Sequence, residues 1–157
     1  MPAIVSGFVE VCIFAFRGAG PEYLLLRRSP AETLYPGIWQ IVTGAPEGNE
    51  TAPETARREM VEETSLTPLD FWVVPHVNSF YDPTNDSIQL TPVFAARVDP
   101  GIEPKLSNEH TDYRWCDYPT ASTMLVWPGQ REALRVLHEH IVKGGEAAAG
   151  LSRLLFS

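Results

Sequence analysis

The sequence predicts an α/β fold, a mixed β-sheet with helices on both faces. Three observations carry that expectation. Six runs rich in aliphatic, β-branched and aromatic residues are separated by clusters of Gly, Pro, Asn and Asp. One acidic segment with strong helix signals stands between the third and fourth runs. Two helical patterns follow the sixth.

Phe8 to Phe16 is largely apolar, the mark of a central strand covered on both faces. Gly18-Ala-Gly20-Pro21 breaks the chain, and Tyr23 to Arg27 returns as the second arm of a hairpin. Ser29 to Gly37 is a loop, and Trp39 to Thr43 is a short strand that delivers the chain to Gly44. Thr51-Ala52-Pro53-Glu54 reads as a capping box, with Thr51 as N-cap and Glu54 reaching back to an orphan donor. Glu54 and Arg58 have i, i+4 spacing for an ion pair; the helix ends near Ser65, and Pro68 forbids its continuation. Phe71 to Tyr81 and Ile88 to Val98 are strands around Asp82–Asp86, and Pro75 and Pro92 imply edge positions or bulges. Asp112 to Cys116 is a further strand. Pro119 to Val126 is a short helix and Gly129 to Lys143 a longer one, with Leu134, Leu137 and Ile141 on one stripe. Ala147 to Leu155 reads either as a terminal helix or as a frayed tail.

With 157 residues and 44% apolar content, a single domain over 1–157 is expected. The 20 acidic and 12 basic residues give a net charge of −8, which argues against binding long nucleic acid. Small polyphosphates remain open to it through metal ions. Cys12 lies in an apolar run and Cys116 ends a strand, so neither points to a disulfide framework. No basic region precedes the first apolar run and Glu10 interrupts it, so neither a signal peptide nor a membrane span is expected. The expected location is the cytoplasm.

The acidic helix carries the chemistry. Glu59, Glu62 and Glu63 follow i, i+3, i+4 spacing and share one side with Ala52, Thr55, Ala56 and Leu66, the half expected to face the protein body. Like charges so placed cost about 0.2–0.5 kcal/mol per pair, so a cation must offset them. Hard divalent ions prefer such oxygen ligands and bind together with substrate phosphates.

The segment Gly44 to Leu66 resembles the Nudix box, G-x5-E-x7-R-E-U-x-E-E-x-G-U with U aliphatic. Gly44, Glu50, Arg58, Glu59, Met60, Glu62, Glu63 and Leu66 match, and Ser65 replaces the last glycine. At average composition, eight such matches at one start have a probability on the order of 10⁻⁸ to 10⁻⁹. Ser takes a left-handed C-terminal conformation less readily than Gly, which concerns the backbone after the helix and removes no ligand. The resemblance implies an α/β/α sandwich and Mg²⁺-dependent (or Mn²⁺-dependent) hydrolysis of a nucleoside diphosphate linked to another group. It implies Glu59, Glu62 and Glu63 as metal ligands with the Gly44 carbonyl, and Arg58 as the residue orienting a site carboxylate. Glu50 is read as stabilising the loop-to-helix junction. Glu109, before an aromatic strand, is the expected further metal ligand or general base, with His110 either assisting or capping the strand.

Arg27 and Arg28 end a strand on opposite faces, so one is expected to clamp a substrate phosphate. Trp39 and Tyr81, with Tyr35, Phe80 and Trp127, are aromatics against which a base or pterin could stack. Trp39-Gln-Ile-Val-Thr-Gly44, Glu109-His110 with Tyr113-Arg-Trp115, and Trp127-Pro-Gly-Gln130 are similar to the bacterial dihydroneopterin triphosphate (or dATP) pyrophosphohydrolase branch. That likeness implies a nucleoside or pterin triphosphate as substrate. Diadenosine polyphosphate hydrolases share much of the pattern. A silent nucleotide-binding module and a cation-binding structural protein are the rivals from other classes. A homodimer could form through Leu151, Leu154 and Leu155.

Overall fold

The structure is a computed structural model, and it describes residues 1–146, 150, 153 and 154. Among these, nine strands form one mixed sheet, with the path β4-β3-β2-β7-β6-β9. Here β2 is Val9–Arg17, β3 Gly20–Arg28, β4 Trp39–Gln40, β6 Asp70–Asp82, β7 Ser87–Arg97 and β9 Arg153–Leu154. Strand β1 (Ala3–Val5) pairs with β7, β5 (Val42–Gly44) with β2, and β8 (His110–Cys116) with β3. The β2–β7 and β1–β7 pairs are parallel and the others antiparallel.

Strand alternation in β2 divides the core. Val9, Val11, Ile13 and Ala15 pack with Ala56, Met60 and Leu66 beneath the acidic helix α1 (Ala52–Thr64). Cys12 and Phe14 point the other way, toward Ala121 of α2 (Tyr118–Met124) and Ala133 and Leu134 of α3 (Pro128–Val136). Helix α3 runs on as a π-helical segment, Leu137–Val142, whose Leu137 and Ile141 complete that layer. The result is the expected α/β/α sandwich. No helix of the described residues is long and apolar enough to cross a membrane.

Several local expectations are corrected. The strand expected at Trp39 to Thr43 is split at Ile41, so that β4 pairs with β3 and β5 with β2. Pro92 meets its expectation: it falls in the gap between the β7 pairing with β1 at residues 87–89 and with β2 at residues 93–97, beside the register irregularity with β6. Pro75 does lie in a bulge, where the β6 register shifts between Val73 and Val77. Within the segment 147–155, Arg153 and Leu154 form a strand against β6, and apart from Gly150 the rest lies outside the described residues. Leu154 packs on the chain's own core, and Leu151 and Leu155 are not described.

Candidate active site

Helix α1 begins as its residues dictate. Glu54 Oε2 accepts from the backbone N–H of Thr51 at 2.7 Å and from its hydroxyl at 2.8 Å. That engagement holds Glu54 at the cap, and Arg58 turns away from the expected Glu54 pair toward the carboxylates. Its Nε donates to Glu50 Oε1 at 2.7 Å and one terminal nitrogen to Glu50 Oε2 at 3.0 Å, a two-point clamp. The same nitrogen reaches the Ala45 carbonyl at 2.8 Å. The other nitrogen donates to Glu59 at 2.9 Å and to Glu62 at 3.1 Å. Arg58 and the hydrogen bonds it gives hold the Glu50 carboxyl down to about 2.

The inward face of α1 is formed by Thr55, Ala56, Met60, Glu63 and Thr64. The three carboxylates do not all lie on it: Glu63 is buried, Glu59 is partly buried and Glu62 is exposed at the rim. Met60, not a carboxylate, fills the centre, because packing against Val9, Val11 and Leu66 needs an apolar side chain there. Glu59 reaches the end of β5. A Cβ on Gly44 would overlap the Glu59 carboxyl, so only glycine allows this approach. Burial raises the Glu59 carboxyl above its ordinary range, against the opposing pull of Arg58.

Glu63 is the extreme case. It is 2% exposed, and neither carboxyl oxygen has a hydrogen-bond partner among the described residues. The neighbour close enough to share a proton is a second carboxyl, Glu109. Oxygen and nitrogen atoms of Glu63, Glu109 and His110 lie within 4.8 Å of one another. Burial first, then Glu109 and Glu59, push the Glu63 carboxyl up to about 9. Backbone bonds explain the meeting: Lys105 N–H donates to the Thr64 carbonyl at 2.8 Å and Ser107 N–H to the Glu63 carbonyl at 3.3 Å. Ser29 N–H donates to the Glu109 carbonyl at 2.8 Å, tying the same loop to the end of β3.

His110 is buried beside them, its Nδ1 3.9 Å from Glu63 Oε2 and its Nε2 3.0 Å from Gln40 Nε2. Burial and the nearby Arg28 charge pull its pKa down to about 4, so the ring is neutral at pH 7. Gln40 was not singled out in the sequence. Its signal, a polar residue inside a strand next to the box, is too common to single it out.

The expected substrate contacts are scattered. Arg28 donates to the Leu34 carbonyl at 2.5 Å and to Glu32 at 3.3 Å, and its charge reaches both Glu63 and His110. Arg27 is exposed and bonds the Gly37 carbonyl at 3.2 Å. Trp39 packs on the α3-side core with the Arg114 guanidinium 5.8 Å from its ring centre. Tyr81 is exposed on the β6–β7 hairpin, and its hydroxyl donates to Asp86 of that hairpin at 2.9 Å.

The residues present fit a hard cation. Carboxylates converge, one of them is buried without a donor, and a glycine opens room at the strand end. The NUDIX domain family matches residues 8–137, and the chain belongs to that family. The chain is 34% identical over 128 residues to the octanoyltransferase of Myxococcus xanthus, covering 80% of this chain and 35% of that protein. It is 30% identical over 112 residues to the dihydroneopterin triphosphate diphosphatase of Escherichia coli (strain K12), covering 63% of this chain and 73% of that protein. The chain thus spans about a third of the first relative and about three quarters of the second. The crystal structure of the MutT protein from Methanosarcina mazei Go1 superposes with a TM-score of 0.70 at 27% identity, covering 88% of this chain and 96% of that one.

Proposed function

We propose that the protein hydrolyses a phosphoanhydride bond of a nucleoside or pterin triphosphate with Mg²⁺ or Mn²⁺. The observation that carries this reading is Glu63, a buried carboxyl with both oxygens unpartnered and a second carboxyl against it. A natural sequence retains such a group where a cation completes it. Glu59, Glu62, Glu63, Glu109 and the Gly44 carbonyl would hold the ion, which when bound neutralises charge on the substrate phosphates.

The chain's own residues do the rest. Arg58 fixes Glu59 and Glu62 toward one side of the helix through its pair of donors. Arg28 brings positive charge next to Glu63 and is assigned the phosphate contact. Glu109, exposed beside buried Glu63, takes the proton of the attacking water. The water oxygen forms a bond to phosphorus while the anhydride P–O bond breaks, and the departing oxygen leaves on pyrophosphate or a nucleoside monophosphate. His110, neutral and bonded to Gln40, supports the Glu63 side of the site.

The test is a panel of nucleoside triphosphates, dihydroneopterin triphosphate and diadenosine tetraphosphate with Mg²⁺, products being read by phosphorus NMR. Release of pyrophosphate or a monophosphate from at least one member is expected. Titration showing bound metal with silence across the panel would leave a nucleotide-binding module instead.

A further inference from the structure

Gln40 and His110 form a buried pair on the α1 face of the sheet, behind the Glu63 carboxyl, which is buried as well. Gln40 of β4 pairs with Leu26 of β3, and Leu26 packs beneath α1, so strand alternation puts the Gln40 side chain on that face. His110 opens β8 on the other flank of β3, where it pairs with Arg28 past a shift of register. The Gln40 amide nitrogen and His110 Nε2 meet at 3.0 Å, and His110 Nδ1 lies 3.9 Å from Glu63 Oε2. Neither that Nδ1 nor either Glu63 oxygen has a hydrogen-bond partner among the described residues.

The contact with Gln40 decides where the ring proton sits. An amide nitrogen carries two hydrogens and offers no lone pair, so it can only donate. His110 Nε2 must therefore accept, and a neutral imidazole that accepts at Nε2 holds its one proton on Nδ1. That N–H faces Glu63. The 3.9 Å gap is about 1 Å longer than an N–H···O bond, within reach of a turn of the carboxyl. The opposite tautomer would set the Nδ1 lone pair against the carboxylate oxygen. A buried carboxylate without a donor is costly, and this N–H is one that the chain itself can supply.

We propose that Gln40 is a positioning residue for the hydrolysis: it holds the His110 proton on Nδ1, and that N–H supports the ionised Glu63 carboxylate. The effect on turnover rests on the hydrolysis reading above, whereas the tautomer rests on the Gln40–His110 contact alone. Gln40 acts through His110 and then Glu63, with no contact of its own to substrate. A residue that accepts where Gln40 donates, such as glutamate, would reverse the tautomer. Partners of this kind behind a ligating carboxylate are worth about 10- to 100-fold in metal affinity.

The experiment reads the tautomer from two-bond nitrogen-15 histidine spectra of the metal-free protein at pH 7, with His110 assigned by its loss in His110→Asn. The wild-type ring is expected in the Nδ1–H form. Gln40→Met, which keeps the volume and has no donor, should move it to the Nε2–H form. In calorimetry the same variant should weaken Mg²⁺ binding by about 10- to 100-fold. The Mg²⁺ concentration giving half-maximal rate should rise alike, while the substrate KM at saturating Mg²⁺ stays within about twofold. His110→Asn offers an amide N–H at the Nδ1 place without help from position 40, so adding Gln40→Met to it should weaken Mg²⁺ binding no further. A wild-type ring in the Nε2–H form overturns the proposal, as does a tautomer unchanged in Gln40→Met. Equal loss of Mg²⁺ affinity in both backgrounds would reduce Gln40 to packing and overturns it too. If no triphosphate is cleaved, the hydrolysis reading fails alone, and the spectra and Mg²⁺ titrations still support or refute the role of Gln40.

Discussion

Two glutamates of one segment, Glu50 and Glu63, sit in opposite electrostatic circumstances. Glu50 receives both arms of Arg58, the Thr55 hydroxyl and the Glu47 N–H, and its carboxyl is held down to about 2. Glu63 receives no donor among the described residues, faces Glu109, and is pushed up to about 9. One end of the segment is neutralised by Arg58, while the other carries a buried carboxyl raised by burial and by its acidic neighbours. The contrast supports the proposed cation position at Glu63 and the proposed role of Arg58 in holding the site in shape.

The largest effect expected is on turnover. Glu63→Gln keeps the volume and removes the charge, so activity should fall on the order of 10²- to 10³-fold or more, with the circular dichroism spectrum unchanged. Glu62→Gln should act in the same direction through its rim position. Full activity in both variants would remove the cation from the mechanism.

The second test sharpens the contrast by pH. Below about 4.5 the Glu63 carboxyl is protonated in both the native and unfolded states and has no effect on stability. Between about 4.5 and 9 the unfolded chain has released that proton and the native state still holds it. Stability of the metal-free protein should therefore fall as pH rises through this window, by up to about 1.4 kcal/mol per pH unit from this group, and level off above it. Glu63→Gln should flatten the slope, and Mg²⁺ should offset it at pH 8. Urea midpoints across the pH series measure all three. A slope identical in wild type and variant would mean that Glu63 ionises without penalty.

Arg58→Ala attacks the neutralised end. Because Arg58 and Glu50 are both partly exposed, their ion pairing is screened, and the variant should show only a modest fall in its urea midpoint. Glu59 and Glu62 also lose their common donor, so Mg²⁺ affinity should weaken by about 10- to 100-fold in calorimetry. Stability loss with unchanged metal affinity would confine Arg58 to the loop-to-helix junction.

Much of this was legible in the sequence because the signals are local. The capping box, the carboxylate spacing and the apolar run of β2 each fix a short element, and each is found within a residue or two of its expected bounds. The Nudix resemblance put both Glu63 and Glu109 among the expected site residues, and the tertiary backbone bonds of Lys105 and Ser107 hold the two together. Legibility failed where packing competes with pattern. Met60 takes the centre of the inward face that the carboxylates were expected to share, and Glu54 stays at the cap. Glu10 looked like an interruption of an apolar run. Its burial depends on Asn78 and Gln130, 68 and 120 residues away, a distance no periodicity reads.

The smallest effect expected is at Ser65, where the box departs from glycine. Ser65 adopts the left-handed conformation at φ 59°, and its N–H closes the helix on the Val61 carbonyl at 2.8 Å. A non-glycine residue there costs roughly 1–2 kcal/mol. Glycine would relieve that strain but gain freedom in the unfolded chain, which offsets about 0.4–1 kcal/mol. It would also lose the Ser65 hydroxyl bond to the Lys105 carbonyl, long at 3.3 Å. Ser65→Gly should thus raise stability by no more than about 1 kcal/mol. The hydroxyl touches the loop that carries Glu109, so the variant also probes the charge-starved end. A destabilised variant with weakened Mg²⁺ binding would show that this long hydrogen bond, rather than the backbone bonds of Lys105 and Ser107, sets Glu109 against Glu63.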